Sequence, residues 1–296
     1  MTEKCNICPR KCNARRQDDN VGYCGVGADL QVARAALHYW EEPCISGEAG
    51  SGTVFFSGCN LRCVFCQNQN ISRGKAGKVI TADRLTEIFL EQQQRGALNI
   101  NLVTASHYVN SVAEAIKNAK ANGLKIPILW NSSAYESVEA LKSLAGLVDI
   151  YLPDFKYVSS EIAARYSKAA DYFTVASAAL AEMHRQQPQV YFDDNGIMTK
   201  GCLVRHLLLP NCLEDSKNTV KYLYEKYGDS VYLSLMAQYT PFGDLSEYPE
   251  IDRKIYQWEY DELVDYAVEL GVENAFVQSF EAADESFIPE FDCRGV

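Results

Sequence analysis

From Gly52 onward the chain alternates short apolar runs, rich in β-branched and aromatic residues, with longer stretches whose apolar positions recur at helical spacing. The runs predict strands at 53–57, 98–104, 126–130, 148–152, 202–209 and 231–236, with a last one at 274–278. The stretches predict helices at 81–95, 109–122, 135–145, 159–187 with an interruption, 215–228 and 259–270. Gly96, Gly123 and Gly271 stand just past three of these, where a helix end favours glycine, and Thr81 or Asp83 can cap the first. Strands and helices taking turns mark βα units on a parallel sheet. Six units fall short of a closed eight-stranded barrel, so the expected fold is α/β, a partial (β/α)6 TIM-type barrel with an open side. The segment at 274–278 would close or edge its sheet. Residues 1–50 break the pattern, being rich in Cys, Arg and Gly with little periodicity, and are expected to form a Cys-rich N-terminal extension to a barrel at 51–296.

Composition narrows what such a barrel does. At 296 residues and 47% hydrophobic, with no apolar run long enough to span a bilayer, the chain reads as a soluble protein with no membrane role. Its net charge of −11 argues against nucleic acid as a partner, since that affinity rests on Lys and Arg neutralising phosphates. The start Met1-Thr-Glu-Lys-Cys5 has no apolar signal segment. Eleven cysteines without one point to a reducing cytoplasm and to metal ligation, not to a disulfide framework.

The cysteines carry the chemistry. Cys59, Cys63 and Cys66 lie at spacing Cx3Cx2C directly after the apolar run Thr53-Val-Phe-Phe56. A 4Fe-4S cluster normally takes four thiolates, so three on one short loop leave one iron free to bind a small molecule. Structural zinc needs four closed ligands, and no second CxxC pair or nearby His completes this set. A second group, Cys5, Cys8, Cys12 and Cys24, lies in the extension and fits one further metal centre, zinc or an auxiliary iron–sulfur cluster. Cys44, in Glu41-Glu-Pro-Cys-Ile-Ser-Gly47, reads as a packing residue or a spare thiol.

The triad with Phe65 before its last cysteine resembles the radical S-adenosylmethionine (radical SAM) superfamily. The Cx2CPRxC start, Gly50-Ser-Gly-Thr-Val-Phe-Phe-Ser-Gly-Cys59, Ile150-Tyr-Leu-Pro-Asp-Phe-Lys156, Arg205-His-Leu-Leu-Leu-Pro210 and Met236-Ala-Gln-Tyr239 make it similar to relatives of pyruvate formate-lyase activating enzyme. That resemblance implies a radical SAM partial barrel. Its cluster would bind SAM through the open iron, cleave it reductively to a 5′-deoxyadenosyl radical and abstract hydrogen from a protein or peptide. It also implies a low-potential electron donor such as flavodoxin or ferredoxin, and glycyl-radical activation as one form of the reaction. Two departures stand against that form: Asn99-Ile-Asn101 lies near the place of a Gly-Gly-Glu motif, and no ferredoxin-like segment follows Cys66. Radical oxidation or rearrangement of a peptide or small metabolite is the alternative, and electron transfer or metal binding without SAM cleavage is an alternative of another class.

The remaining candidates lie at predicted strand ends, where barrel enzymes place their chemistry. Asn99 and Asn101 share one face of the second strand, and Asn131 and Ser133 follow the third; all four are candidate SAM contacts, though Asn131-Ser-Ser133 serves equally as a helix cap. Under the resemblance Asp154 and Lys156 join the SAM pocket, with Lys156 pairing the SAM carboxylate, and Phe65 faces the adenine. His206 is expected inward as a SAM contact, which turns Arg205 to the other face. His107 is a substrate-side candidate. Tyr239 is a candidate relay of an electron or proton, or an aromatic wall.

Overall fold

A computed structural model of the chain describes residues 4–17, 20–278 and 289–296. Its strands among the described residues are β1 (Leu30–His38), β2 (Ser51–Phe56), β3 (Lys78–Ile80), β4 (Ile100–Val103), β5 (Ile128–Ser132), β6 (Ile150–Pro153), β7 (Tyr191–Phe192), β8 (Met198–Leu207), β9 (Tyr232–Met236) and β10 (Ala275–Val277). The helices are α1 (Pro43–Ser46), α2 (Gln69–Ser72), α3 (Ala82–Gln94), α4 (Val109–Ala121), α5 (Val138–Lys142), α6 (Ser160–Ser167), α7 (Tyr172–Gln186), α8 (Leu213–Tyr227) and α9 (Gln257–Leu270). The sheet runs in the order β10-β9-β8-β6-β5-β4-β2-β1-β3. Its members from β2 to β10 along this path pair in parallel, and β1 and β3 join antiparallel. The two ends of the path are different strands, so the sheet is not closed. Strands buried on both faces read as continuous apolar runs, and β2, β5 and β6 are buried at every position.

The six predicted βα units and the terminal strand are all present, with ends shifted by a few residues. Thr81 caps α3 by accepting the Arg84 amide at 3.1 Å, which settles the choice between Thr81 and Asp83. The interrupted stretch 159–187 divides into α6 and α7 at Lys168, which takes a left-handed φ of 52°. The helix expected at 135–145 shortens to α5 because Tyr135 and Glu136 are spent on packing: the Tyr135 hydroxyl donates to Asp171 at 2.9 Å, and Glu136 accepts from Ser106 and Trp130.

The first fifty residues hold more regular structure than their sequence suggests. The nine-residue strand β1 lines up antiparallel with β2. Its free edge takes on the C-terminal residues: the Ala35 amide donates to Arg294 and the Cys293 amide to Ala33, both at 2.9 Å. Beyond β1, α1 packs Cys44 and Ile45 against Leu129, Ile150 and Leu203, plugging the end of the barrel where the strands begin. Cys44 is thus a packing residue.

Two histidines are buried where the sequence placed them facing a ligand. On β8, Arg205 and not His206 turns into the barrel; alternation held, but its phase was reversed. His206 lies on the outer face, its Nδ1 donating to the Phe155 carbonyl at 2.8 Å. His107 likewise uses Nε2 to donate to the Ser57 carbonyl at 2.8 Å, under the extension and away from the cavity. In each ring the other nitrogen is buried without a partner. Burial pushes His107 down to about 3 and His206 to about 4 from an ordinary 6.5, against the carbonyl bonds that work the other way. The unfolded chain protonates these rings near the ordinary value and the folded chain resists it. Their contribution to stability is therefore complete above that pH and is lost as pH falls toward the folded values. The urea midpoint should drop between about pH 7 and about pH 5. A His107→Gln, His206→Gln double variant should show a smaller drop, and an equal drop would refute this assignment.

Candidate active site

The Cys59 loop leaves the end of β2 and is held from behind by the extension. The Cys59 amide donates to the Cys24 carbonyl at 3.1 Å. Gly58 sits at φ 90°, and a β-carbon there would stand 2.7 Å from Val26, 2.9 Å from the Cys24 carbonyl and 3.0 Å from His107. Only glycine allows this approach. Arg10 fixes the next turn: its guanidinium donates to the carbonyls of Asn60 at 2.7 Å, Ser167 at 3.1 Å and Lys168 at 2.5 Å, and it lies over the Tyr23 and Tyr135 rings. One half-buried fork thus ties the extension to the loop and to the break between α6 and α7.

Cys59, Cys63 and Cys66 open into one cavity of about 500 Å3 at the ends of the parallel strands. The sulfurs have donors of their own: the Leu61 amide reaches Cys59 at 3.4 Å and the Ser167 hydroxyl reaches Cys63 at 3.0 Å. Burial pushes Cys66 up to about 12 and raises Cys63, with Lys156 opposing the latter. Among the described residues no three His, Cys, Asp or Glu side chains converge tightly enough to hold a single metal ion. Three cysteines of one loop on one cavity wall, two of them with hydrogen-bond donors, fit a 4Fe-4S cluster with one iron left open.

Below them lies a polar network. Arg205 donates through Nε to Asp154 at 2.7 Å, and through its two terminal nitrogens to Glu41 and to the Asn131 amide oxygen, both at 2.8 Å. Lys156 pairs with Asp154 at 2.9 Å, and the Asn101 amide donates to Glu41 at 2.9 Å. Burial alone would raise Asp154, but Arg205 and Lys156 outweigh it and hold the carboxyl below its ordinary value. Lys156 is held up in turn, Asp154 and Cys63 prevailing over burial. This is a buried network and not a surface ion pair.

The sequence candidates divide accordingly. Asn131, Ser133, Asp154, Lys156, Phe65 and Tyr239 all line the cavity with the three cysteines. Asn101 reaches it through Glu41. Asn99 does not: its amide accepts from Ser51 at 2.5 Å and donates to the Ile45 carbonyl at 2.8 Å, in the barrel plug. The Tyr239 hydroxyl donates to the Ile251 carbonyl at 2.7 Å while its ring meets Phe65 edge-on, an aromatic wall. Glu41, Glu42 and Arg205 were missed as site residues. Their charge argued for solvent, and only the Glu-Glu-Pro turn ahead of a buried helix hinted otherwise.

Residues 53–188 match the family model described as the Radical SAM superfamily. Over this segment the chain is similar to that superfamily. Domains of this superfamily normally bind a 4Fe-4S cluster and SAM, and they are enzymes. An uncharacterized protein of Methanocaldococcus jannaschii is 28% identical over 274 residues, covering 90% of this chain and 74% of that protein. SuiB from Streptococcus suis superposes with TM-scores of 0.52 when bound to its precursor peptide SuiA and 0.53 when bound to S-adenosylmethionine, at 14% and 15% identity. These matches cover 76% and 79% of this chain and 48% and 52% of SuiB. Methylornithine synthase (PylB) gives 0.52 at 12% identity, over 74% of this chain and 60% of its own. At such identities the likeness is one of fold, and this chain spans about half the length of the SuiB structures.

Replacing Gly58 by Ala should cost stability, since the side chain meets backbone and packed atoms in a left-handed conformation. A loss of about 2 kcal/mol or more is expected in the urea unfolding free energy. An unchanged midpoint would show that the extension does not press on the loop as described.

Proposed function

We propose that this chain is a radical SAM enzyme that holds a 4Fe-4S cluster on Cys59, Cys63 and Cys66. SAM would bind in the adjoining cavity, and hydrogen would be taken from a protein or peptide segment, glycyl-radical activation of a partner enzyme being one form. One observation carries this reading: the three thiols of a single loop open into the same cavity as Asn131, Ser133, Asp154 and Lys156. When bound, the cluster supplies one electron to the SAM sulfonium and so a carbon radical able to take hydrogen. The chain does the rest. Lys156 meets the SAM carboxylate while Asp154 keeps it charged and in place, Asn131 and Ser133 serve the ribose and neighbouring polar groups, and Phe65 and Tyr239 wall off water. A sheet that is not closed among the described residues supports a large substrate, as do Trp40 and Val277 at the cavity wall, 62% and 54% exposed. That SuiB has been crystallised with a peptide agrees with it. The charged cavity floor supports a second reading, in which the substrate is a small polar metabolite.

The extension is proposed to hold a second centre on Cys5, Cys8, Cys12 and Cys24. The sulfurs of Cys12 and Cys24 both lie within 3.4 Å of where a Gly22 β-carbon would stand. The fields of Cys5, Cys12 and Cys24 all reach Cys8. An auxiliary iron–sulfur cluster and zinc both fit four thiols on this segment, and the auxiliary cluster is the form put to the test.

Two experiments test these statements. Anaerobically reconstituted protein given dithionite and SAM should yield 5′-deoxyadenosine, and a Cys59→Ala variant should reduce the yield at least about a hundredfold. Equal yields would end the enzyme reading. A variant with Cys59, Cys63 and Cys66 all changed to Ala should retain iron and sulfide on the extension cysteines. Zinc without iron would overturn the auxiliary cluster, and no metal at all would overturn the second centre.

A further inference from the structure

The cavity floor carries one more carboxyl than it has cations. Among the described residues, Glu41, Glu42 and Asp154 share the network with only Arg205 and Lys156. Each of those cations is engaged: Arg205 spends Nε on Asp154 and its terminal nitrogens on Glu41 and Asn131, and Lys156 holds Asp154. Glu42 is what remains. It lines the cavity with 9% exposure, its Oε2 has no hydrogen-bond partner, and Ser234 stands beside it. Burial, opposed by Arg205 and Ser234 and reinforced by Glu41, raises its carboxyl, so a further positive charge beside it would be favoured. His38 on the same cavity does not supply one, since burial and the nearby Arg34 and Arg205 push its ring down. An unpartnered polar atom at this depth is costly, and a site pays that cost where a ligand completes it.

We propose that Glu42 anchors the substrate, and that the substrate presents a cationic nitrogen, an amine or guanidine, to this carboxyl. The proposal rests on the reading that this cavity receives the hydrogen donor, and it names the donor's chemical class. Glu42 immediately precedes α1, which plugs the barrel where the strands begin, whereas the cysteines lie past the end of β2. The nitrogen is thus held deep in the barrel, and the hydrogen to be removed sits on a carbon several bonds away toward Cys59, Cys63 and Cys66. A lysine or arginine side chain of a peptide and a free amine metabolite both fit this chemistry.

The test is calorimetric binding to the anaerobically reconstituted full chain with SAM present. The probes are pentylamine and agmatine against 1-pentanol, and a lysine-containing peptide against the same peptide with its lysine acetylated. At least one cation should bind about tenfold or more tighter than its neutral counterpart. Glu42→Gln should erase the preference and Glu42→Asp should keep part of it, with circular dichroism confirming that both fold. Preference for free amines alone identifies a metabolite, and preference for the peptide alone identifies a peptide side chain; either supports the proposal. No preference in the wild-type chain, or a preference that a folded Glu42→Gln keeps, overturns it. If Glu42→Gln fails to fold, the wild-type comparison and Glu42→Asp decide. Formation of 5′-deoxyadenosine in the same samples separates the two readings. Cation binding without that product would leave the amine assignment standing and remove the radical one, and product without cation preference would do the reverse.

Discussion

A guanidinium buried inside a barrel has to be surrounded by acceptors, and the placement of Arg205 organises the site. Taking such a charge out of water costs several kcal/mol, repaid only by well-formed partners. Here Asp154, Glu41 and Asn131 provide them, from β8's neighbouring strand end, from the turn before α1 and from β5. Removing one partner would leave the ion uncompensated, at about 3–5 kcal/mol. The same bonds therefore fix Asp154 for Lys156, draw Glu41 into the barrel and hold the turn that leads into the plug. Packing and chemistry share residues, so the floor cannot be altered without disturbing the cavity above it.

The extension belongs to this logic. It supplies the acids on the floor, and it supplies Cys24 and Arg10 behind the Cys59 loop. A loop at a strand end carries few regular hydrogen bonds of its own and would otherwise be mobile. The close approach at Gly58 and the Arg10 fork give it a rigid back. This arrangement makes the N-terminal extension a working part of the cavity on two of its sides.

Much of this was legible in the residues. Spacing along one loop is local, so the grouping of Cys59, Cys63 and Cys66 at one cavity could be read directly, and the βα series followed from periodicity because its strands are continuous apolar runs. The strand β1 was not legible: Leu-Gln-Val-Ala-Arg-Ala-Ala-Leu-His is alanine-rich and does not alternate cleanly, and pairing with β2 and the C-terminal residues makes it a strand. The phase of β8 failed for a different reason. Alternation says that Arg205 and His206 oppose each other but not which faces the barrel, and general burial preference favours the histidine inward. Compensation by residues from three other segments reversed that choice, and such compensation is invisible without the fold. Asn99 and Asn101 do share a face, as alternation requires, but depth along the strand assigns one to the plug and the other to Glu41.

The central claim is that three cysteines of one loop present an open iron to SAM in the cavity above Arg205. Electron paramagnetic resonance of the dithionite-reduced protein, before and after SAM labelled with nitrogen-15 on its amino group and oxygen-17 on its carboxylate, addresses it directly. The account predicts changed g-values on adding SAM and hyperfine coupling of both labels to the cluster. An unchanged spectrum without coupling, from protein containing its full iron and sulfide, would contradict it.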